Sequence, residues 1–206
     1  VGQDVSVGWV IGDEFVAEHG MTGTWQAFNG QWRAFFRRKI VDIDSQTQQV
    51  VLDVPLRYPA KIRDQASLRV EQGYLSECGI QDLSVSTAVD EDAAWQNDRS
   101  HAIAFRQVKD CYLRNVFSYE PSNERAEPGY QLQSGGVLVL SSKRVSVLDS
   151  GMEHAQNRGP GGNGYLFEVS RSSEVLFQDC IGRAGRHNFI QNWDFGTSGT
   201  VFLRTS

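Results

Sequence analysis

Three cysteines occur in 206 residues, and an odd count leaves at least one thiol free. No CxxC pair or Cys/His cluster is present, so the sequence offers no zinc site. No apolar run approaches the roughly 20 residues of a membrane-spanning helix, so no membrane partner is expected. Charge of one sign is also scarce: 20 basic and 25 acidic residues mix along the chain to give −5. Without a basic stripe, nucleic acid is not the expected partner. No Ser-His-Asp arrangement or nucleotide fingerprint occurs. The run Gly159-Pro160-Gly161-Gly162-Asn163-Gly164 lacks a lysine and precedes a strand, which makes it a flexible corner and not a phosphate cradle. From residue 66 onward long amphipathic helical stretches are missing as well, which argues against helical solenoids.

What the chain does have is repetition. Five short strands share one pattern: Ser67–Val70, Ala102–Phe105, Val137–Leu140, Leu166–Val169 and Thr200–Leu203. Their apolar anchors Val70, Phe105, Leu140, Val169 and Leu203 recur after 35, 35, 29 and 34 residues. The first four are each followed, past a polar corner, by a second strand: Cys78–Asp82, Cys111–Asn115, Val145–Asp149 and Val175–Asp179. A repeat of this length signals a stacked array in which each turn is covered by its neighbours. The period-two alternation within each strand says that one face is buried. Two strands per turn, polar corners and one variable connection per turn suit a parallel β-helix. One buried column is expected from the five anchors and another from Cys78, Cys111, Val145 and Val175. In the second column the cysteines serve as small core residues, although stacked strands about 4.8 Å apart do not exclude a bridge.

On this architecture, and on stretches such as Gly162-Asn163-Gly164-Tyr165-Leu166-Phe167, the chain resembles the right-handed parallel β-helix superfamily with the pectate-lyase-like fold, over roughly residues 38–206. The expected fold is therefore all-β: an N-terminal capping region with a β-hairpin over 1–65, then solenoid coils over 66–206, together one structural domain. Lys39–Ile43 and Val50–Val54, joined by the polar stretch Asp44–Gln49, read as the hairpin. The run Val54-Pro55-Leu56-Arg57-Tyr58 is similar to hairpin exits in that superfamily. A short helix is expected within Asp13–Phe28, capped by Asp13. Leu203 reads as the anchor of a further coil, whose open end is expected to be covered by more coils or by another chain. The resemblance also implies an extracellular or cell-surface protein whose partner is a polysaccharide.

Function is expected in the long connections, approximately Ser84–Ser100, Ser118–Gly135, Ser150–Asn163 and Ile181–Ser198. Their aromatic residues Trp95, Tyr119, Tyr130 and Trp193 could stack on sugar rings, or simply order their own loops. The densest cluster is Arg183-Ala184-Gly185-Arg186-His187, one coil beyond Glu153-His154. A lyase needs a base and cationic groups for an enolate, roles that His154, Arg183, Arg186 and His187 could fill. A glycoside hydrolase needs two carboxylic acids, for which Glu153 and Asp194 are the candidates. The alternative makes Arg186 and His187 anchors for their own loop. A second candidate face carries Arg69, Glu71, Arg106, Glu168 and Arg204 with Ala104, Val139, Ser141, Ser170 and Phe202. No cofactor is required, with calcium as an alternative at the corner carboxylates Asp149 and Asp179. Two such charges about 5 Å apart repel by about 3 kcal/mol at an effective dielectric near 20, which a cation would relieve. The corner column Asp82, Asn115, Asp149 and Asp179 is otherwise explained by the ease with which Asn and Asp adopt left-handed backbone. The competing function is a non-catalytic assembly module, a homo-oligomer or filament built through the C-terminal coil.

Overall fold

The computed structural model describes residues 1–25, 30–122, 129–192 and 195–206. Two compact units divide the chain, Val1–Gly73 and Tyr74–Ser206. In the first, β1 (Asp4–Val10), β2 (Trp32–Asp44), β3 (Gln49–Leu52) and β4 (Ser67–Val70) build one sheet in the order β3-β2-β1-β4, with the helix α1 (Asp13–Glu18) between β1 and β2 in the chain. The hairpin appears where the alternation placed it, with Ile43 opposite Val50 and Asp44 opposite Gln49. Its turn closes on Asp44, whose carboxylate accepts bonds from Gln46 N at 2.8 Å and from Thr47 Oγ1 at 2.7 Å. The short helix also forms, but its N-cap position is Gly12, with Asp13 in the first turn. Trp9 stacks on Phe35 at 3.9 Å and 10°, with Phe15, Phe36 and Tyr58 around it. Arg38 is fully buried, donating to the carbonyls of Val54 and Pro55 at 2.9 and 3.2 Å. Those acceptors are what let a cation sit in this interior.

One expectation fails in this unit. Ser67–Val70 is not the first coil strand. It pairs antiparallel with β1, Val70 opposite Val5, and Val70 is 53% exposed. Arg69 and Glu71 accordingly leave the candidate solenoid face: Arg69 lies over the Trp32 ring at 3.8 Å, and Glu71 pairs with Arg37 and Ser6.

The second unit is a parallel β-solenoid of about three turns. Its strands are β5 (Leu75–Ser76), β6 (Gly79–Val85), β7 (His101–Arg106), β8 (Val108–Ser118), β9 (Gly135–Leu140), β10 (Lys143–Leu148), β11 (Gly151–Glu153), β12 (Tyr165–Ser170), β13 (Ser173–Gln178), β14 (Ile181–Arg183), β15 (His187–Gln191) and β16 (Ser198–Leu203). The helix α2 (Glu91–Gln96) lies in the connection before β7, capped by Asp90, whose side chain accepts from Ala93 N. One sheet runs β15-β12-β9-β7; the other runs β14-β11-β8-β10-β13-β16, with β5 and β6 also on β8. Every ladder in this unit is parallel.

The cysteine column forms as expected. Cys111 lies opposite Val145, Val145 opposite Val175, and Val175 opposite Thr200. Tyr112 N bonds to Cys78 O at 3.0 Å, which brings Cys78 into the same column. All three cysteines are free thiols, and burial raises the Cys180 thiol to about 11. The other column is in different phase from the one expected. Phe105 faces Val139 and Val139 faces Val169, whereas Leu140 faces Arg106 and Ser170. Val139 is fully buried, so it leaves the candidate outward face. Leu203 faces Gln178, so Thr200–Leu203 is a second-position strand. The first strand of that coil is His187–Gln191, where Phe189 stacks on Phe167 at 4.9 Å and 5°. Coils also carry a third short strand, β11 or β14, in residues expected to be loop.

The corners explain the polar columns. Asp82, Asn115, Asp149, Asp179 and Arg204 all have left-handed φ, between 48° and 57°. Gln107, Ser141 and Arg171 do the same one corner earlier, and His154 and Ala184 one corner later. Each such residue bends the chain without breaking the stacking, at a steric cost for any residue with a Cβ. Buried serines complete the corners. Ser172 Oγ accepts from Ser142 N at 3.0 Å and donates to Ser170 O at 2.8 Å. Ser142 Oγ does the same for Val108 N and Leu140 O at 3.1 and 2.8 Å.

Candidate functional site

The outward face of the β7-β9-β12-β15 sheet carries one in-register row: Ala104, Leu138, Glu168 and Ile190. Glu168 alternates with the buried Phe167 and Val169, so strand periodicity points it away from the core. Its side chain is nevertheless only 1% exposed. Three residues from the strand ends close over it. Asn192, just after β15, donates Nδ2 to Oε1 at 2.5 Å. His101, at the start of β7, places Nε2 2.9 Å from Oε2. Arg99, before β7, brings Nη1 to 3.2 Å.

Glycines make this closure sterically feasible. His101 pairs with Gly135 across β7 and β9, and it must pass β9 to reach β12. A Cβ at Gly135 would lie 2.8 Å from His101 Nε2 and 2.9 Å from Cγ, so only glycine leaves room for the ring. Gly162, at φ +88°, lets the Arg99 guanidinium approach in the same way.

Burial pushes the Glu168 carboxyl up. The hydrogen bonds from His101 and Asn192 and the charge of Arg99 outweigh it, and hold the group below the usual carboxylate range. Glu168 is therefore an ionised acceptor near neutral pH, to which His101 donates from Nε2. The imidazole, 5% exposed, positions the carboxylate and does not face solvent. Beside this cluster lies an open hollow of about 200 Å³ lined by Arg99, Leu138, Leu140, Glu168, Ser170, Arg171 and Asn192. Its wall combines two leucines with two cations, one carboxylate and neutral polar groups. Such a surface can hold a small ligand that is apolar on one side and rich in hydroxyl or amide groups on the other.

The expected catalytic residues divide into two groups by register. Glu153 lies opposite Arg183 on neighbouring coils, and His154 Nε2 is 3.9 Å from Glu153 Oε2. That register sets His154 against Ala184, so the two histidines do not stack on each other. His187 instead faces Tyr165, ring to ring at 5.0 Å, and is exposed. Arg186 ties its loop to the connection of the preceding coil, donating Nη1 to Gly159 O at 2.5 Å. Of the aromatic residues, Trp95 and Tyr119 are 49% and 46% exposed. Tyr130 is buried and donates to Glu91 at 2.8 Å. Trp193 and Asp194 lie outside the described residues. Asp179 is bound by Arg204 at 2.5 and 2.6 Å, which with Gln178 lowers its carboxyl to about 2. Asp149 occupies the same left-handed corner position. Among the described residues, no group of three or more His, Cys, Asp or Glu is placed to hold a metal ion.

Of the cluster around the hollow, sequence reasoning reached Glu168 and Ser170 and missed Arg99, His101, Arg171 and Asn192. The one available signal was the pair Gly135-Gly136 at a strand start, where glycine often marks close approach of another group. No family model matches the chain, and neither curated proteins nor solved structures yield a match.

Proposed function

We propose that the solenoid is a polysaccharide-binding β-helix of the pectate-lyase-like type, acting outside the cell, and that the hollow beside Glu168 receives one sugar residue of the chain. The observation that carries this reading is the buried, ionised carboxylate held by His101, Arg99 and Asn192 at the wall of an open hollow floored by Leu138 and Leu140. A sugar offers hydroxyls to a guanidinium and a C–H face to leucine, and the Arg99 fork held by Glu168 beside Leu140 meets both. The hollow is smaller than the roughly 300–1,000 Å³ of sites that engulf drug-sized ligands, which suits one residue of a longer chain. Glu153, His154 and Arg183, on or just after the third strands, supply a partly exposed acid–base group for any processing step.

A polysaccharide panel tests the reading. Binding is measured calorimetrically, and cleavage by absorbance of unsaturated products and by reducing ends. At least one polysaccharide should bind wild type and bind Arg99→Ala at least tenfold more weakly. A complete panel without binding or cleavage refutes it. A second reading, assembly between chains, rests on β16, which lies at its sheet's edge with Val201, Phe202 and Leu203 50%, 40% and 40% exposed. A concentration-dependent mass by light scattering, lost in Val201→Lys, would support it.

A further inference from the structure

We infer that the sugar taken by the hollow is a 2-acetamido sugar, recognised through its N-acetyl group; this rests on the carbohydrate reading above. Asn192 is the reason. Its Nδ2 is committed to Glu168, and its Oδ1 is buried with no hydrogen-bond partner among the described residues. A buried acceptor without a partner destabilises the site that holds it, so a ligand that supplies a donor there gains affinity from a debt already present.

The surrounding groups narrow which donor fits. Leu138 and Leu140 give an apolar floor beside Asn192, and Arg99 and Arg171 give cationic donors. Arg99 keeps its side chain 36% exposed while one nitrogen faces Glu168, so the rest of its fork can serve a ligand. An acetamido group carries, within a few ångströms, an N–H donor, a carbonyl acceptor and a methyl group. The N–H meets Asn192 Oδ1, the carbonyl meets a guanidinium, and the methyl rests on the leucines. A plain hydroxyl at the same ring position satisfies Asn192 but leaves the leucine floor bare. A free amine is protonated, and it brings a like charge toward Arg99 and Arg171.

Ligand-observed NMR titration of the 206-residue chain separates these cases. The probes are the methyl glycosides of N-acetylglucosamine, N-acetylgalactosamine, glucose, glucosamine and glucuronic acid. At least one N-acetyl sugar should bind about tenfold or more tightly than glucose and glucosamine. Asn192→Ala should erase most of that difference, with circular dichroism confirming its fold. If Asn192→Ala does not fold, the ligand series alone decides. Equal binding of glucose and the N-acetyl sugars, or preference for glucuronic acid, overturns the acetamido assignment and leaves the carbohydrate reading standing. Absence of binding by every sugar overturns the acetamido assignment, and the polysaccharide panel then decides the reading beneath it.

Discussion

Adding one methyl group at Gly135 should break the contact between His101 and Glu168. In Gly135→Ala the new Cβ would sit 2.8 Å from His101 Nε2 and 2.9 Å from Cγ. Cδ2 of the ring would lie closer still, and comfortable contact needs about 3.5–4.0 Å, so the ring must retreat by more than about 1 Å. The 2.9 Å bond to Glu168 has no slack for such a shift. Two costs follow: overpacking of about 1–3 kcal/mol, and loss of a hydrogen bond to a buried charge of about 1.5–3 kcal/mol. Together they give roughly 2.5–6 kcal/mol, a large part of the roughly 5–15 kcal/mol that holds a domain folded. Urea unfolding of wild type, Gly135→Ala, His101→Ala and the double variant measures it as a cycle. With the imidazole gone, the added methyl has nothing to strike, and its cost should fall below about 1 kcal/mol. A Gly135→Ala variant as stable as wild type, or one equally costly with and without His101, would refute this account of the site.

Four further outcomes follow from the same geometry. Because the folded Glu168 carboxyl is depressed, the unfolded chain takes up its proton first as pH falls. Its stabilisation is therefore complete above the ordinary carboxylate range and is lost as pH drops through the folded value; melting temperatures between pH 2 and 7 should show this loss, and Glu168→Gln should flatten it. Val139→Asp should prevent folding, since Val139 is fully buried, whereas Leu140→Asp should still give a folded chain by circular dichroism, because Leu140 lines the open hollow. Ala184→Gly, at φ 55°, should raise stability by about 1 kcal/mol in urea unfolding by relieving a left-handed alanine. Ser172→Ala should lower it by about 1–3 kcal/mol, because the Ser142 amide loses its buried acceptor.

The repeat was legible in the sequence because stacking enforces it: each coil must present apolar residues at matching places or leave a neighbour uncovered. The second strands were read in correct register for the same reason. In Cys111–Asn115, Val145–Asp149 and Val175–Asp179 the strand ends in a residue suited to left-handed backbone, and that corner fixes the phase. The first strands have no such marker. Val137-Leu138-Val139-Leu140 is apolar at both parities, so alternation cannot say which pair faces inward. Val139, not Leu140, stands in the buried column with Phe105 and Val169, and a one-residue slip exchanges the two faces of a strand.

That ambiguity has a physical origin which also explains why the hollow was only partly visible. Leu138 is 2% exposed although it faces outward, because it lies opposite Glu168, over which Arg99 and Asn192 close from the flanking connections. A strand covered on both faces needs apolar residues on both, and the alternation disappears where a loop creates a second interior. Glu168 stands in that second interior as its one carboxylate row member, flanked in register by Leu138 and Ile190. Among apolar neighbours, an ionised group can persist only if partners reach it from elsewhere in the chain. They come from 69, 67 and 24 residues away, at Arg99, His101 and Asn192. No local pattern records such distances. The residue out of place on a strand marks where a site lies, while the residues that complete it become identifiable only once the coils are stacked.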